Sequence, residues 1–217
     1  IEDYRDVPDE VLLITAGVDV QPDRFEIVIK GWGDRDESWL IDTRKIWRAT
    51  DTTEAWSELE VYLFGSEFKH ADGRVKRIVS TCIDSGYLSD KVYAFAKKHR
   101  RRNVFATKGK AGWQRDIVGK VRRIEAGCNF FIIGVDVAKQ RIYSRLDIQK
   151  PVDASGKELP KPWAGYMHLN QLCTMDYWYE LTAEKITTKR RHGFPMLPWE
   201  IIANRENHKL DCEGLNL

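Results

Sequence analysis

Residues 11–47, VLLITAGVDVQPDRFEIVIKGWGDRDESWLIDTRKIW, contain three strand patterns separated by two short turns. Residues 11–20 are an apolar, β-branched run that ends close to an acid, which is typical of a buried central strand. Residues 25–32 and 37–47 alternate between apolar and polar side chains, a pattern that favours β-strands. Because the turns between them are short and rich in Gly, Pro and Asp, the three segments predict an antiparallel meander.

The rest of the chain alternates between helix and strand patterns. We predict helices at 51–64, 90–101, 138–146 and 199–217, strands at 77–84, 103–107 and 130–135, an amphipathic segment at 175–185, and a surface loop at 151–162. This order predicts an α/β fold with a mixed sheet, in which an antiparallel three-stranded start is followed by parallel strands and flanked by helices.

The composition is that of an ordinary globular protein. The chain has 217 residues, of which 42% are hydrophobic and 31% charged, and 35 Lys and Arg oppose 33 Asp and Glu for a net charge of +2. No apolar run approaches the roughly 18 residues of a membrane span, so we expect no membrane partner. The four cysteines show no C-x-x-C spacing, which argues against structural zinc and fits reduced thiols. The small net charge argues against a nucleic-acid partner unless the cations are clustered.

Three acids stand where an α/β sheet assembles a site. Asp19 and Asp84 lie at the ends of two apolar strand patterns, and Asp211 follows His208 by three residues on the last predicted helix. Strand ends are where such sheets bind ligands. Two carboxylates about 4 Å apart repel by about 4 kcal/mol at an effective dielectric near 20. Bound divalent cations remove that repulsion, and oxygen ligands suit Mg²⁺ or Mn²⁺ better than Zn²⁺.

Simpler interpretations of these residues stay open. An Asp at a strand end is commonly a turn or helix-capping residue, and His208 is equally compatible with a helix surface. Asp23 and Asp42 lie near the first strands and are candidates for a supporting contact. Asp136 follows a strand pattern, and for it a capping role is favoured over catalysis.

Basic residues occur in four groups, at 97–102, 108–110, 122–123 and 189–191. The first group ends a predicted helix, where cations complement the helix dipole, so a solvated cap is favoured there. Lys108 and Lys110 follow a strand in the same half of the chain as Asp84, which favours contact with phosphates, and Arg122 and Arg123 are further candidates.

Eight tryptophans raise the question of base stacking. Trp32, Trp39, Trp47 and Trp56 occupy positions that can point inward, so core packing is favoured for them. Trp113, in a glycine-rich segment, is the candidate for another role.

Several stretches resemble the nuclease domain of lambda-type phage terminase large subunits. They are VPDEVLLITAGVDVQPDRFEIVIKGWG (7–33), DESWLID (36–42), IDSGY (83–87), FATKG (105–109), IIGVDVAK (132–139), IYSRL (142–146), GYMHL (165–169), DYWYELTAEK (176–185) and NHKLDC (207–212). These stretches run in order along essentially the whole chain.

The resemblance implies an endonuclease of RNase H-like fold that cuts concatemeric viral double-stranded DNA into genome units during packaging. Terminase large subunits carry an N-terminal packaging ATPase, and this sequence contains no G-x-x-x-x-G-K-[ST] phosphate loop. We therefore expect residues 1–10 to be a lead-in from a missing ATPase and residues 11–217 to be one nuclease domain. The implied setting is the host cytoplasm, with the terminase small subunit and the portal as partners of the full-length protein and the isolated domain monomeric.

The resemblance also implies roles for the three acids. Asp19, Asp84 and Asp211 match the acids that hold two Mg²⁺ or Mn²⁺ ions, about 3.5–4 Å apart, in RNase H-like nucleases. His208 would orient a metal-bound water or the scissile phosphate. Two alternatives stay open, namely a DNA-binding or docking module whose acids are structural, and an RNase H-like recombinase. A dinucleotide-dependent metabolic enzyme is disfavoured, because no glycine-rich fingerprint follows the first strand.

Overall fold

The structure is a computed structural model that describes residues 1–123, 128–191 and 194–217. Its strands are β1 (Leu13–Val20), β2 (Arg24–Trp32), β3 (Ser38–Trp47), β4 (Phe68–Lys69), β5 (Val75–Lys76), β6 (Ile78–Asp84), β7 (Val104–Lys110), β8 (Arg122–Arg123), β9 (Asn129–Gly134), β10 (Met167–His168), β11 (Glu184–Ile186), β12 (Lys189–Arg191), β13 (Phe194–Met196) and β14 (Trp199–Ile201). Its α-helices are α1 (Thr53–Gly65), α2 (Ser89–Lys98), α3 (Val135–Leu146), α4 (Met175–Leu181) and α5 (His208–Asn216).

Eight strands form one mixed sheet in the order β10-β3-β2-β1-β6-β7-β9-β8. β1, β2 and β3 pair antiparallel, which confirms the predicted meander. β6 then pairs parallel with β1, β7 with β6, and β9 with β7, as the sequence predicted. The arrangement is consistent with an RNase H-like fold.

Helices cover both faces of the sheet because successive side chains of the central strands point to opposite sides. Ile27 and Ile29 of β2 belong to the core cluster that α1 and α2 complete. Val28, between them, belongs to a second cluster with residues of α3, α4 and α5. β2 is therefore buried on both faces, and the sheet is the middle of three layers.

Helix α5 packs on β1 with almost no space between the two backbones. A Cβ atom on Gly17 would lie 2.1 Å from the carbonyl oxygen of Cys212 and 2.8 Å from Nδ2 of Asn216. The Asn216 amide donates to the carbonyl oxygens of Val28 and Cys212, and its Oδ1 accepts from the Thr15 hydroxyl at 2.7 Å. The absence of a side chain at residue 17 thus fixes how closely the last helix approaches the sheet.

Buried ion pairs tie the same helix to β2. Lys209 Nζ lies 2.7 Å from Oε2 of Glu26, whose side chain is fully buried. One helical turn later, Glu213 pairs with the buried ammonium of Lys30. Because removing one partner would leave a buried charge unpaired, these pairs specify the position of α5 along β2.

Some predicted elements differ from the structure. The helix predicted at 199–217 is wrong in its first half, because Trp199–Ile201 pairs antiparallel with β11 and the helix begins only at His208. Asn204 has a positive φ of 64°, which no helix accommodates. The amphipathic segment at 175–185 is a helix only to Leu181.

The expectation of core packing holds for some tryptophans. Trp39 and Trp56 are buried, whereas Trp47 is 63% exposed and carries the Arg24 guanidinium over its ring at 4.8 Å. Core packing was therefore the wrong interpretation for Trp47. None of the helices in the described ranges combines the length and apolarity that a membrane crossing requires.

We predict that Gly17→Ala lowers the free energy of unfolding by about 3 kcal/mol or more, because the new methyl group overlaps backbone atoms that cannot move independently. Urea denaturation measures the effect. Gly65→Ala is the matched control, since no atom lies within 4 Å of a Cβ at that position, and it is expected to change stability by less than about 1 kcal/mol. Equal effects of the two variants would contradict the packing role of Gly17.

Candidate active site

Asp19 and Asp84 lie side by side at the end of the sheet. β1 and β6 are parallel neighbours, and Val18 pairs with Ile83. The next residue of each strand is an acid, so Asp19 and Asp84 lie at the same end of the two strands. Helix α5 lies across β1 and brings Asp211 toward the same edge, where Asp84 and Asp211 line a cavity of about 240 Å³. The structure thus places the three acids that the sequence singled out at one crevice.

Asp19 is held by two neighbouring side chains. Its Oδ2 accepts a hydrogen bond from Nε2 of Gln21 at 2.8 Å and lies 2.8 Å from Nδ1 of His208. The hydrogen bond to Asp19 raises the pKa of His208, and burial opposes this increase only in part. His208, the first residue of α5, therefore fixes the Asp19 carboxylate, and this contact favours the charged form of the imidazole.

Asp84 is the last residue of β6 and is half-buried. Burial raises its pKa, and the charge of Asp19 adds to this effect. The backbone N–H of Gly86 donates to Asp84 Oδ2 at 3.1 Å, and this bond acts in the opposite direction together with the charge of Lys108. The Asp84 carboxylate is therefore held by a backbone hydrogen bond and lies in the electric field of Asp19.

The carboxyl group of Asp211 has a strongly raised pKa. Burial raises its pKa to about 7, the nearby Lys139 ammonium opposes this increase, and the charges of Asp19, Glu184 and Asp84 add to it. Burial and the neighbouring carboxylates thus both disfavour the charged form of Asp211.

Two further residues of the crevice escaped the sequence reasoning. Lys139 of α3 lies with its Nζ 2.6 Å from Oε1 of Glu184 and 4.0 Å from Oδ1 of Asp211. The Asn207 amide also donates to Glu184 Oε1 at 2.8 Å. Both Lys139 and Glu184 fall in stretches that resemble the terminase nuclease, but no local pattern indicates that they meet.

The donor set of the crevice fits a hard divalent cation. The charges of the Asp19, Asp84 and Asp211 carboxylates act on one another there, and oxygen ligands are those that Mg²⁺ and Mn²⁺ prefer. In the part of the chain that the structure describes, no three Asp, Glu, His or Cys side chains are already arranged around a single ion position. Burial is the main cause of the raised pKa of Asp211 and the neighbouring carboxylates add to it, so a cation bound there would favour the charged form of the group.

The four predicted DNA-binding residues lie on the neighbouring part of the sheet. Lys108 and Lys110 are exposed at the end of β7, inside the strand rather than after it, and Lys108 lines the cavity with Asp84 and Asp211. Arg122 and Arg123 are exposed on β8, which pairs with β9 at the edge of the sheet. The four cations therefore belong to strands on one side of the crevice.

Each of the remaining basic groups contains a lysine with an acidic partner. Lys98 pairs with Glu60 and Lys189 with Glu200, which fits solvated surface charges at these two positions. The side chain of Arg191, in the last group, lies outside the described part of the chain.

The three other candidate acids have separate partners. Asp23 pairs with Arg24 at 3.0 Å, and Asp42 accepts a hydrogen bond from the Tyr62 hydroxyl at 2.8 Å. Through the pairing of β3, β2 and β1, Asp42 lies level with the residue three positions before Asp19. Asp136 accepts from the backbone N–H of Gly112 at 2.7 Å and does not occupy the N-cap of α3, which is Gly134. Asp136 therefore anchors the segment after β7, and the capping interpretation was wrong.

Comparisons with known proteins give consistent results. The family model described as "Terminase large subunit gpA, endonuclease domain" matches residues 1–217. The terminase large subunit of Escherichia phage lambda is 31% identical over 209 residues, and that of Enterobacteria phage P21 is 28% identical over 209 residues. Each match covers 95% of this chain and 32% of the relative, so the chain spans about a third of their length. No solved structure gives a significant match.

We predict that Asp211→Asn stabilises the protein at pH 8 in the presence of EDTA. Because the pKa of Asp211 is raised from 3.8 to about 7 in the folded state, the folded protein binds more protons than the unfolded chain between these values. Its stability therefore falls as the pH rises through this window, and the uncharged amide avoids the loss. The side chain is 37% exposed, so solvent screening limits the gain to about 1–2 kcal/mol.

Urea denaturation from pH 4 to pH 8 measures this effect. The difference between variant and wild type is expected to grow with pH and to level off above about pH 7. Asp147→Asn, at an exposed position just after α3, is the control for loss of a carboxylate elsewhere. A difference between Asp211→Asn and wild type that does not depend on pH would contradict the perturbed carboxyl group.

Proposed function

The chain belongs to the family of terminase large subunit gpA endonuclease domains, and from this premise we propose that it hydrolyses phosphodiester bonds of viral double-stranded DNA during genome packaging. The observation that carries the proposal is the meeting of Asp19, Asp84 and Asp211 at one crevice. Acids delivered by two parallel strands and a crossing helix form an oxygen-rich centre beside an exposed group of cations.

We propose that these three carboxylates hold two Mg²⁺ or Mn²⁺ ions. When bound, such ions supply charge neutralisation and the activation of water for in-line attack at phosphorus. The protein contributes a rigid arrangement, since Asp19 and Asp84 end adjacent strands and α5 is fixed by its contact at Gly17. The raised pKa values of Asp84 and Asp211 support this assignment, because each carboxyl group lies in a field that disfavours its charge.

His208 has a positioning role in this proposal. Its Nδ1–H bonds to Oδ2 of Asp19 and so fixes the orientation of that carboxylate. On its other side, Nε2 lies 3.5 Å from Oε2 of Glu206, which Arg24 also contacts at 2.9 Å. The ring is therefore held between two acids, and its contact with Asp19 supports a role in aligning this acid rather than in receiving the phosphate directly.

DNA would enter across the strands β7, β9 and β8. Lys108, Lys110, Arg122 and Arg123 are exposed there, and cations so placed neutralise phosphates and release counterions. Lys108 also lines the cavity with Asp84, so the path of the backbone would lead into the acidic crevice.

The wider setting of the activity follows from the relatives. Both are terminase large subunits about three times as long as this chain. We propose that in a full-length protein this domain acts in the host cytoplasm beside a packaging motor, with the terminase small subunit and the portal as partners.

We predict that Asp84→Asn abolishes cleavage of plasmid DNA in Mg²⁺ or Mn²⁺. Loss of a carboxylate ligand is expected to lower the rate by about 100-fold or more while the fold is preserved. Asp42→Asn is the matched control, since this acid bonds to Tyr62 away from the crevice, and its rate is expected to stay within a few-fold of wild type. The rate is measured on gels from the appearance of nicked and linear plasmid.

The same assay separates the alternatives. Cleavage by Asp84→Asn at the wild-type rate would contradict the assignment of the acids. DNA binding by the wild type with no cleavage in either metal would indicate a docking module. Covalent joining of a labelled 3′-hydroxyl oligonucleotide to the target would indicate a recombinase.

We predict that the double variant Lys108→Glu, Lys110→Glu weakens binding to double-stranded DNA and reduces its salt dependence. Loss of two phosphate contacts should make the slope of log K against log salt less steep by about 2. Lys157→Glu is the control, because residue 157 lies in the exposed segment that leads to β10 at the opposite edge of the sheet. Fluorescence anisotropy at several salt concentrations measures the slope, and an unchanged slope would refute the interface.

A further inference from the structure

Lys139 is an enclosed cation within the acidic crevice. Its side chain is 13% exposed, and its Nζ lies 2.6 Å from Oε1 of Glu184 and 4.0 Å from Oδ1 of Asp211. It lines the same cavity as Asp84, Asp211 and Lys108. Whereas Lys108 is exposed to solvent, the ammonium of Lys139 is held inside the wall of the crevice.

The anchor of Lys139 is itself fixed from several directions. Glu184 is 4% exposed, and its Oε1 also accepts from the Asn207 amide at 2.8 Å. The Tyr143 hydroxyl, one helical turn after Lys139, donates to the carbonyl oxygen of Glu184 at 2.5 Å. Helix α3, strand β11 and the residue before α5 are thereby joined beside Asp211, so the ammonium has little freedom to swing into solvent.

A cation in this position offsets part of the negative charge of the crevice. Asp19, Asp84 and Asp211 together repel one another and also repel an incoming phosphate. Lys108 lines the same cavity and His208 contacts Asp19, whereas the Lys139 ammonium lies 4.0 Å from Oδ1 of Asp211 and also lines the cavity. The same charge opposes the binding of a divalent ion, since like charges compete for one carboxylate.

We propose that Lys139, anchored by Glu184, is a fixed positive charge of this centre that holds Asp211 in the absence of divalent ions and contacts the phosphate of bound DNA when they are present. The proposal rests on the proposed nuclease function and assigns to it a residue besides the three acids. The proposal predicts that removal of the Lys139 charge has opposite effects on metal binding and on cleavage. Metal ions should bind more tightly, and cleavage should become slower.

The first test measures Mn²⁺ binding to the DNA-free protein by isothermal titration calorimetry. Lys139→Met is expected to lower the dissociation constant about three- to tenfold, because a unit charge is removed beside an ion of charge two. Lys139→Arg keeps the charge and is expected to bind Mn²⁺ as the wild type does. Lys161→Met, which removes a half-buried lysine paired with Glu10, is the control for loss of a cation elsewhere.

The second test measures plasmid cleavage at saturating Mn²⁺. Lys139→Met is expected to reduce kcat about tenfold or more, Lys139→Arg to retain most of it, and Lys161→Met to leave it unchanged. Because Lys139→Met leaves the buried Glu184 without this partner, the double variant Lys139→Met, Glu184→Gln is measured as well. It removes both charges, so its Mn²⁺ affinity is expected to lie between those of Lys139→Met and wild type, while its cleavage is expected to be as slow as that of Lys139→Met.

The results separate the possibilities. Mn²⁺ affinity that stays the same or weakens in Lys139→Met, with a urea midpoint near wild type, would overturn the role of Lys139. Wild-type kcat in Lys139→Met and in the double variant would do so as well. A wild-type protein that binds Mn²⁺ without cleaving DNA would overturn the nuclease function, and with it the phosphate contact. The Mn²⁺ affinities of Lys139→Met and wild type would then still decide whether Lys139 competes with the metal ion for Asp211.

Discussion

Helix α5 lies against strand β1 at a point where the strand has no side chain, and the geometry of the crevice depends on this contact. With Gly17 in place, the Cys212 carbonyl oxygen approaches the strand to a distance that no Cβ would allow. The helix is then close enough for His208 to bond to Asp19 and for Asp211 to share a crevice with Asp84. A larger residue at position 17 would move all of these groups together.

Close approach alone does not fix the rotation or the position of a helix of nine residues. Lys209, Glu213 and Asn216 recur at helical spacing and bond to Glu26, Lys30 and the Val28 carbonyl of β2. His208 and Asp211 fall on the other side of the helix, toward the crevice. Buried ion pairs contribute little net stability compared with apolar packing, but a helix displaced by one turn would leave them unpaired. These ion pairs therefore fix the position of α5 along β2, and with it the positions of His208 and Asp211.

The sequence predicted those features that a local pattern carries. The alternation in β2 and β3 and the apolar run in β1 gave the meander, and two strand ends gave Asp19 and Asp84. The beginning of the last helix was missed, because Trp199–Ile201 is held as a strand by pairing with β11, a contact that no local period reveals. Glu184 and Lys139 are 45 residues apart in the chain and meet only through packing of α3 beside β11. Gly17 likewise gave no sequence signal, although the packing of α5 depends on it.

Net charge is a poor guide to the partner of this protein because the charges are separated in space. Lys and Arg exceed Asp and Glu by only two, yet Asp19, Asp84 and Asp211 gather at one crevice while Lys108, Lys110, Arg122 and Arg123 are exposed on the adjoining strands. A phosphate backbone is attracted by the second group and repelled by the first. Divalent ions in the crevice would reverse the local sign, so DNA would be drawn across the exposed cations into the centre only after the ions are bound. On this view the proposed metal site governs where DNA binds as well as how it is cut, and Lys139 is a positive charge beside Asp211 that does not depend on bound ions.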